Sequence, residues 1–490
     1  MTEILSTLSF IVSSFAWLFI AFILFLIAVF IYDVYQTSHA VLRNYPVLGH
    51  FRYFLETLGE YFRQYFFAND REELPFNRAS RNWVYRTAKG LGGMIGFGST
   101  NDMREPGSII FVSSPYPVLE EDCLPSPAMV IGANCEKPFT ANRIFNISGM
   151  SYGALSAPAV RALSRGAKIE DCWMNTGEGG LSPHHKEGGC DLIYQIGTAK
   201  YGVRDEQGNL SDQKLREVAR HVKAFEIKIS QGAKPGRGGV LPAAKVSQEI
   251  AEIRGIPVNV LSSSPNRHVE IQSPDDLLDM IMRVREVTGR PVGFKTVISN
   301  SVFSDSLFEA VLRRGIDSAP DFVTIDGGDG GTGAAPQILA DHVGLPLVEA
   351  LPMFSNSLLE AGLQDNIRVI ASGRLVTSAK VAWALCAGAD FVVSGRGFMF
   401  SLGCIQSLQC HMDTCPTGIT THNKRRQRGL VIEDKVKRVA NYAHWVNVEV
   451  DKLAHSCGLQ NAREFRREHV RIVKEAFHSE SLADMYPYPK

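Results

Sequence analysis

The feature that most constrains the fold is a series of eight apolar segments, each of which ends in glycine or polar residues. These segments lie between about residues 140 and 400, and stretches with helical periodicity separate most of them. Strands that alternate with helices indicate a parallel α/β sheet. Eight strands in about 250 residues predict a TIM (β/α)8 barrel, with a doubly wound open sheet as the alternative. In a barrel the residues that follow the strands form one face, where active sites lie.

The predicted elements follow from this alternation. The predicted strand ends cover residues 144–151, 173–180, 192–197, 225–230, 292–299, 322–328, 368–374 and 391–397. The predicted helices cover residues 156–168, 211–223, 242–253, 274–287, 304–314, 345–361 and 377–388. Two further amphipathic patterns, at 432–456 and 461–478, predict a C-terminal helical extension, and the glycine-rich stretch 90–99 predicts a loop.

A different apolar segment lies near the N-terminus. From Ile4 to Tyr32 there is no charged residue, and 24 of these 29 residues are apolar. About 20 apolar residues span a hydrocarbon core of ~30 Å. A signal peptide would begin with basic residues, whereas this chain begins Met1-Thr2-Glu3. We therefore predict a transmembrane helix over residues 4–32, with a buried core helix as the alternative.

Basic residues near the ends of such a helix predict its orientation. Arg43, Arg52 and Arg63 follow the apolar segment, and no basic residue precedes it. We therefore predict a single-pass membrane protein whose catalytic part is cytoplasmic. Over the whole chain 51 Lys and Arg balance 51 Asp and Glu, so no excess charge points to a nucleic acid partner.

The predicted domain organisation has four parts. A transmembrane helix at 4–32 and a linker or accessory region at 33–130 precede a barrel at 131–425. The helical extension occupies residues 426–490.

Three of the nine cysteines are clustered. Cys404, Cys410 and Cys415 fall within 12 residues, and Pro416 follows them. The other six are scattered, which fits a reducing compartment better than a disulfide framework. Three thiols in a short loop followed by proline indicate iron–sulfur ligation, as a 3Fe-4S cluster or a 4Fe-4S cluster with an open corner. Zinc with His411 as a fourth ligand, or plain buried cysteines, are the alternatives.

Two late strands end in similar glycine–arginine turns. One reads Ser372-Gly373-Arg374, and the other reads Ser394-Gly395-Arg396-Gly397. Backbone N–H groups can approach a phosphate at glycines, and arginine adds charge and donors. Loops after strands seven and eight commonly bind phosphate in barrels. The pair therefore predicts a phosphate site, with ordinary turn glycines as the alternative.

The segment 228–245 concentrates cations and amides among glycines and prolines. It contains Lys228, Gln231, Lys234, Arg237 and Lys245. A loop that binds carboxylates or phosphate would need this concentration of cations. A solvated basic loop is the alternative.

Two charged residues accompany apolar strands. Glu178 stands between glycines in NTGEGG (175–180), where a carboxylate can transfer protons or hold an ammonium group. Lys295 lies between apolar neighbours in GFKTVI. Because a buried lysine needs a partner, this position favours contact with a cofactor or substrate. A plain turn for Glu178 and surface exposure for Lys295 are the alternatives.

A glycine-rich segment at 325–336 matches G-x-G-x-x-G at Gly328, Gly330 and Gly333. Pro336 follows closely, where a nucleotide-binding motif would continue into a helix. We interpret the segment as a loop that covers a flat ligand and not as a nicotinamide dinucleotide site.

Six motifs, in the same order, resemble the FMN-binding synthase domain of glutamate synthase. They are ISGMSYGALS (147–156), NTGEGG (175–180), KISQGAKPGRGGVLP (228–242), DGGDGGTGAAP (326–336), ASGRLVT (371–377) and GCIQSLQCHMDTCPTGITT (403–421). The resemblance covers about residues 130–425. It implies a TIM barrel that holds FMN and a 3Fe-4S cluster. It also implies reduction of 2-iminoglutarate, formed from 2-oxoglutarate and ammonia, to L-glutamate.

The resemblance implies roles for individual residues. The cluster ligands would be Cys404, Cys410 and Cys415. The FMN phosphate would be held by Ser372, Gly373, Arg374, Gly395 and Arg396. The flavin would be surrounded by Met150, Ser151, Lys228, Lys295, Gly327, Gly328, Gly331 and Thr332. The substrate would be faced by the catalytic set Glu178, Gln231 and Lys234.

The chain departs from the family in ways that affect the expected reaction. We expect no glutamine amidotransferase domain, β-helix tail or FAD-binding subunit, so a redox protein would supply electrons. Arg237 stands where the family commonly has an acidic or neutral residue, and residues 262–273 replace a loop richer in proline and histidine. The alternatives are an oxidoreductase for another amino acid or an N-alkylated glutamate, and a membrane-tethered electron-transfer module.

Overall fold

The computed structural model describes residues 2–489, apart from the side chains of residues 2–5 and 8. The chain forms two compact units that divide between Ser80 and Arg81.

The helices are α1 (Thr2–Tyr35), α2 (Ala40–Asn44), α3 (Gly49–Phe62), α4 (Arg78–Ala88), α5 (Ala157–Ile169), α6 (Pro183–Lys186), α7 (Asp212–Ala219), α8 (Gln248–Arg254), α9 (Pro274–Thr288), α10 (Val302–Arg314), α11 (Gln337–His342), α12 (Leu347–Glu360), α13 (Ser378–Cys386), α14 (Arg396–Ser401), α15 (Lys424–Gln427), α16 (Ile432–Ser456) and α17 (Leu482–Met485). The strands are β1 (Ile109–Phe111), β2 (Met129–Ile131), β3 (Phe139–Ala141), β4 (Phe145–Ile147), β5 (Met174–Asn175), β6 (Leu192–Ile196), β7 (Ala224–Lys228), β8 (Val240–Leu241), β9 (Ser262–Ser263), β10 (Val292–Thr296), β11 (Phe322–Asp326), β12 (Arg368–Ser372), β13 (Phe391–Ser394), β14 (Val470–Glu475) and β15 (His478–Ser481).

The second unit is built around a closed barrel of eight parallel strands, which confirms the predicted TIM barrel. The strands β4 to β7 and β10 to β13 follow one another around the barrel in chain order. The barrel closes where β4 pairs in parallel with β13, with Asn146 opposite Val393. Each of the eight predicted segments overlaps one barrel strand, and most of the remainder of each segment lies in the turn that follows the strand.

Burial explains why these short segments form strands. Every residue of β6, β7, β10 and β11 is buried, as expected for parallel strands covered by helices on one face and by packed side chains on the other. Helices α5, α9, α10, α12 and α13 lie close to their predicted bounds between the strands.

An antiparallel hairpin covers the N-terminal end of the barrel. Ile131 of β2 and Phe139 of β3 join a buried cluster with Trp173, Phe322 and Phe391, which lie before or at the first residues of their barrel strands. The Trp173 ring meets the Phe391 ring edge to face at 5.0 Å. Because this end is closed by apolar packing, the C-terminal ends of the strands are left for the site.

The long helix α16 packs along α5 on the outside of the barrel. A Cβ atom added at Gly166 of α5 would lie 2.6 Å from Cβ of Val439 in α16. The absence of a side chain at Gly166 therefore allows the close approach of the two helices. The bounds of α16 confirm the prediction of a helix at 432–456.

The predicted helix at 461–478 is wrong. This part of the chain forms two short 3-10 turns, and β14 and β15 then form an antiparallel pair. Strand β1 pairs with the other edge of β14, so the end of the chain completes a three-stranded sheet. Val470, Ile472 and Val473 are β-branched residues, which favour a strand over a helix. The C-terminal extension is therefore only partly helical, with α16 before the strand pair and the short helix α17 after it.

In the first unit, α1 is the one helix among the described residues that is long and apolar enough to cross a membrane, over Ser9–Tyr35. The helix runs three residues past the predicted end at Tyr32. It includes Asp33, whose carboxylate accepts a hydrogen bond from the backbone N–H of Val47 at 2.9 Å.

Candidate active site

The C-terminal ends of the barrel strands bring the predicted site residues to one end of the molecule. Met150 and Ser151 follow β4, Glu178 follows β5, and Lys228 ends β7. Lys295 lies in β10, and the glycine-rich loop at 327–332 follows β11. The turns with Arg374 and Arg396 follow β12 and β13.

A carboxylate and an ammonium group form the centre of the site. The Nζ atom of Lys228 lies 3.0 Å from Oε1 of Glu178 and 2.9 Å from Oε1 of Gln231, to which it donates a hydrogen bond. Gly197 leaves room for this arrangement, because a Cβ atom there would lie 2.7 Å from Oε2 of Glu178. The glycine is needed at this position because the carboxylate occupies the space that a side chain would fill.

The charges around Glu178 determine its protonation. Burial raises the pKa of Glu178, but Lys228, Lys234 and Arg254 lower it more, so the pKa falls below its usual value. Burial also lowers the pKa of Lys234 to about 8, and the charge of Lys228 contributes in the same direction. Glu178 is therefore a carboxylate at neutral pH, and Lys234 can change its charge near neutral pH.

Arg254 is a component of the site that the sequence analysis missed. It ends α8, is 7% exposed, and donates through Nη1 to Oγ of Ser262 at 3.2 Å. Its Nη2 atom would lie 3.0 Å from a Cβ atom added at Gly179, so the guanidinium lies against the turn that carries Glu178. The buried Nε atom has no hydrogen-bond partner within the described part of the chain. The predicted helix at 242–253 began six residues before α8, where the chain forms a 3-10 turn, and it ended one residue before Arg254. No motif distinguished this arginine.

A second group of cations lies between the ends of β11, β12 and β13. Arg374 Nε and Arg396 Nη2 both donate to the backbone carbonyl of Asp329, at 3.2 and 3.0 Å. Burial and then the charge of Arg374 lower the pKa of Arg396 to about 10. Both arginines also lower the pKa of Lys380, after burial as the main cause, whereas Asp329 raises it. Asp329 is the carboxylate nearest to these three cations. Asp326, which also acts on Arg396, is paired with Lys295, so an excess of positive charge remains.

Lys380 is a second residue that the sequence analysis missed. It lies in α13, which follows β12 and was interpreted only as an outer helix of the barrel. The charges of Arg374 and Arg396 lower its pKa, so Lys380 lies within electrostatic range of both arginine turns. Its helical pattern in the sequence does not indicate this position.

The glycine-rich loop is packed tightly against its neighbours. A Cβ atom at Gly331 would lie 2.7 Å from Nε of Arg396, and Gln231 donates through Nε2 to the Gly331 carbonyl at 2.7 Å. Gly328 donates to the Leu345 carbonyl at 2.7 Å, and Thr332 donates to the Ala334 carbonyl at 3.3 Å. The loop therefore connects Gln231, in the segment that follows β7, to Arg396 in the turn that follows β13.

Asp326 fixes the strands around this loop. Its Oδ2 atom lies 3.3 Å from Nζ of Lys295 and accepts the backbone N–H of Gly232 at 2.9 Å. Its Oδ1 atom accepts Oγ of Ser372 at 2.8 Å. Lys295 is 6% exposed, so this ion pair supplies the partner that a buried lysine requires.

The floor of the site is a buried polar network. Glu226, 3% exposed, accepts hydrogen bonds from Asn175 at 2.8 Å and from Gln195 at 2.5 Å. Thr324 donates to the other oxygen of Glu226 at 2.6 Å. These bonds satisfy the buried carboxylate and hold β5, β6, β7 and β11 in register.

The cysteine loop packs beside the segment that follows β4. Ser156 N donates to the Ile419 carbonyl at 2.8 Å, and His422 Nε2 lies 2.8 Å from the Gly153 carbonyl oxygen. The buried Lys245 donates through Nζ to the carbonyls of Cys410 at 2.8 Å and Thr420 at 2.6 Å. Lys245, predicted as part of a loop for anions, thus connects that loop to the cysteines.

The three thiols are close enough for the charges of two of them to affect the pKa of the third. Burial raises the pKa of Cys404 to about 12, and the charges of Cys410 and Cys415 add to this effect. Between residues 2 and 489, the structure nevertheless places no three His, Cys, Asp or Glu side chains where they could hold one metal ion. The ligand assignment for the three cysteines therefore stays a prediction.

The chain is similar enough to known proteins to identify its family. The family model for the conserved region in glutamate synthase matches residues 112–460. The chain is 40% identical to the glutamate synthase large subunit-like protein YerD of Bacillus subtilis (strain 168), over 93% of this chain and 95% of that protein.

More distant relatives are longer than the matched region. The chain is 35% identical to the archaeal glutamate synthase [NADPH] of Methanocaldococcus jannaschii, over 66% of this chain and 61% of that protein.

Among solved structures, mandelate oxidase with (S)-4-hydroxymandelic acid is 14% identical, with a TM-score of 0.47 over 80% of this chain and 98% of that chain.

The family model covers most of the barrel unit, and the relative from Bacillus subtilis aligns over nearly its whole length. The chain therefore belongs to the glutamate synthase family of oxidoreductases.

Proposed function

We propose that this enzyme reduces 2-iminoglutarate, formed from 2-oxoglutarate and ammonia, to L-glutamate. Family membership supports the reaction class. The observation that carries the proposal is the pairing of two cationic groups at one end of the barrel, one around Glu178 and one around Asp329. The first suits a dicarboxylate, and the second suits a phosphate.

FMN is the proposed cofactor, and the residues present fit its phosphate. Arg374, Lys380 and Arg396 provide more positive charge than Asp329 balances, as a phosphate dianion requires. A Cβ atom at Gly395 would meet nothing closer than Met150 Cε at 3.7 Å, so the backbone there is open to a ligand. When bound, FMN supplies hydride chemistry to a carbon of the substrate.

The substrate would bind between Glu178 and the cations around it. Lys234 and Arg254 are the proposed partners of its carboxylates. Both are buried cations that Glu178 influences, and neither forms an ion pair with a carboxylate among the described residues. Glu178 would hold or transfer a proton at the substrate nitrogen. Gln231, bonded to Lys228 and Gly331, would position the ammonium group of Lys228.

An iron–sulfur cluster on Cys404, Cys410 and Cys415 is part of the proposal. Support comes from three thiols within one loop, from their electrostatic proximity, and from the packing of that loop against Gly153 and Ser156. Such a cluster supplies single electrons. A redox protein would deliver them, and α1 would hold the enzyme at the cytoplasmic side of a membrane.

A variant of Glu178 tests the proposed reaction. We expect Glu178→Gln to retain flavin and to lower kcat for glutamate formation by about 10²–10⁴-fold, the usual contribution of a general acid or base. Glu360→Gln is the control, because Glu360 is an exposed residue at the end of α12, before strand β12 begins. Unchanged kcat in Glu178→Gln would contradict the proposal.

A second substrate is favoured by one observation. Arg237 is exposed and its charge reaches Lys234, so the site carries one more cation than 2-oxoglutarate needs. An amino acid with a larger or more anionic substituent on nitrogen, such as an N-alkylated glutamate, would use it. Flavin reduction by such a compound, with no response to 2-oxoglutarate and ammonium, would favour this alternative.

A further inference from the structure

The helix that follows α1 carries an apolar stripe that is exposed in the structure. Helix α3 continues into a π-helical turn at Arg63–Phe67. We define the aromatic stripe as Phe51, Phe54, Leu55, Tyr61, Phe62 and Phe66, all of which are exposed. Their spacing of three, four and seven residues places them along one face of a helix.

The aromatic stripe exposes more apolar surface than a helix surrounded by water usually does. Phe66 is 75% exposed, Phe51 is 64% exposed, and Phe54 is 61% exposed. Contiguous exposed aromatic residues mark a contact with another surface. Four charged residues are also exposed on this element, namely Arg52, Glu56, Glu60 and Arg63. The element therefore has an apolar face and a charged face, as helices that lie in a membrane interface do.

Three contacts hold the start of α3 close to the end of the apolar segment. Asp33 is the first charged residue after the apolar run, and it is fully buried. Its carboxylate accepts the backbone N–H of Val47 at 2.9 Å and lies 3.0 Å from Nε2 of His50, in the first turn of α3. The His39 and Tyr53 rings pack edge to face at 5.4 Å across the same turn.

We propose that α3 and the turn that follows it lie in the headgroup region of a phospholipid bilayer, with the aromatic stripe against the acyl chains. The apolar run ends at Tyr32, and the contact between Asp33 and His50 holds the start of α3 next to this end. If the hydrocarbon ends at Tyr32, α3 begins at the same depth. Aromatic residues are the side chains that favour this depth. The inference rests on the proposed membrane-spanning role of α1.

Photocrosslinking of the full chain tests this placement. The protein is reconstituted in vesicles of phosphatidylethanolamine and phosphatidylglycerol, with benzoylphenylalanine in place of one residue at a time. Position 54 reports the stripe, position 19 reports α1, and position 477 is the control, because Phe477 is 91% exposed in the other unit. Mass spectrometry identifies what each position has captured.

The proposal predicts lipid adducts at positions 54 and 19, in yields well above that at position 477. Adducts at 19 without adducts at 54 would overturn the inference and leave the membrane-spanning role of α1 intact. Capture of protein at 54, from the same chain or a second copy, would also overturn it. An absence of lipid at both positions would refute the inference together with the membrane-spanning role.

Discussion

Glu178 keeps its negative charge inside the barrel because cations surround it. Its environment contains Lys228 at 3.0 Å, and the more distant Lys234 and Arg254 lower its pKa further. Burial, and then the charge of Lys228, lowers the pKa of Lys234 to about 8, although Glu178 raises it. A bound carboxylate would raise this pKa by adding negative charge next to Lys234.

The first prediction concerns pH. Because the pKa of Lys234 is lowered to about 8, its ammonium is present below that pH and is lost as the pH rises through it. We expect KM for 2-oxoglutarate, at saturating ammonium, to increase as the pH rises above about 8. Lys234→Arg keeps its charge at these values, so its KM should change less. The same rise in both enzymes would exclude Lys234 as the titrating group.

The second prediction concerns the phosphate site. Arg396→Gln removes one charged donor, and a hydrogen bond to a charged group contributes about 1.5–3 kcal/mol. We expect Kd for FMN to increase about 10- to 100-fold, with little change for riboflavin, which lacks the phosphate. Arg313→Gln is the control, because Arg313 is an exposed arginine paired with Asp275. Equal losses for FMN and riboflavin would show that Arg396 supports the fold instead.

The third prediction concerns the cysteine loop. We expect Cys410→Ala to remove the broad iron–sulfur absorption of the detergent-purified protein and to retain the flavin bands. Cys457→Ala is the control, because Cys457 follows α16 and belongs to no cluster. Iron–sulfur absorption that persists in Cys410→Ala would contradict the assignment of Cys410 as a ligand.

At the scale of elements, the sequence predicted the strands and helices that have a clear local pattern of apolar residues. All eight barrel strands were predictable, because each is a buried apolar segment that stops at glycine or polar residues. Helix α16 was predictable from its amphipathic period. The pair β14 and β15 was not, because its alternation is short and its partner β1 lies far away in the sequence. Arg254 and Lys380 were missed because their roles depend on the position of other elements.

The fourth prediction concerns the contact between α5 and α16. Gly166→Val would place Cβ about where Val439 lies, 2.6 Å from its Cβ. Overpacking of this kind costs about 1–3 kcal/mol, so we expect a lower thermal unfolding midpoint. Gly96→Val is the control, because a Cβ at Gly96 meets nothing within 4 Å. An unchanged midpoint in Gly166→Val would show that the two helices can separate at no cost.

At the scale of the whole molecule, the two ends of the barrel differ in the side chains that they gather. The hairpin of β2 and β3 closes the N-terminal end with apolar packing. The C-terminal end gathers the charged groups, and the cysteine loop packs beside it against Gly153 and Ser156. This arrangement supports the proposal that electrons enter at the cysteine loop and are used at the end of the barrel.

The most direct test of this account is a single-turnover experiment under anaerobic conditions. The purified enzyme is reduced, mixed with 2-oxoglutarate and ammonium together or separately, and followed by flavin absorption and by glutamate analysis. The account predicts that the flavin is reoxidised only when both compounds are present, with one L-glutamate formed per reduced flavin. Purified protein without flavin, or reduced flavin that does not respond to the two compounds together, would contradict it.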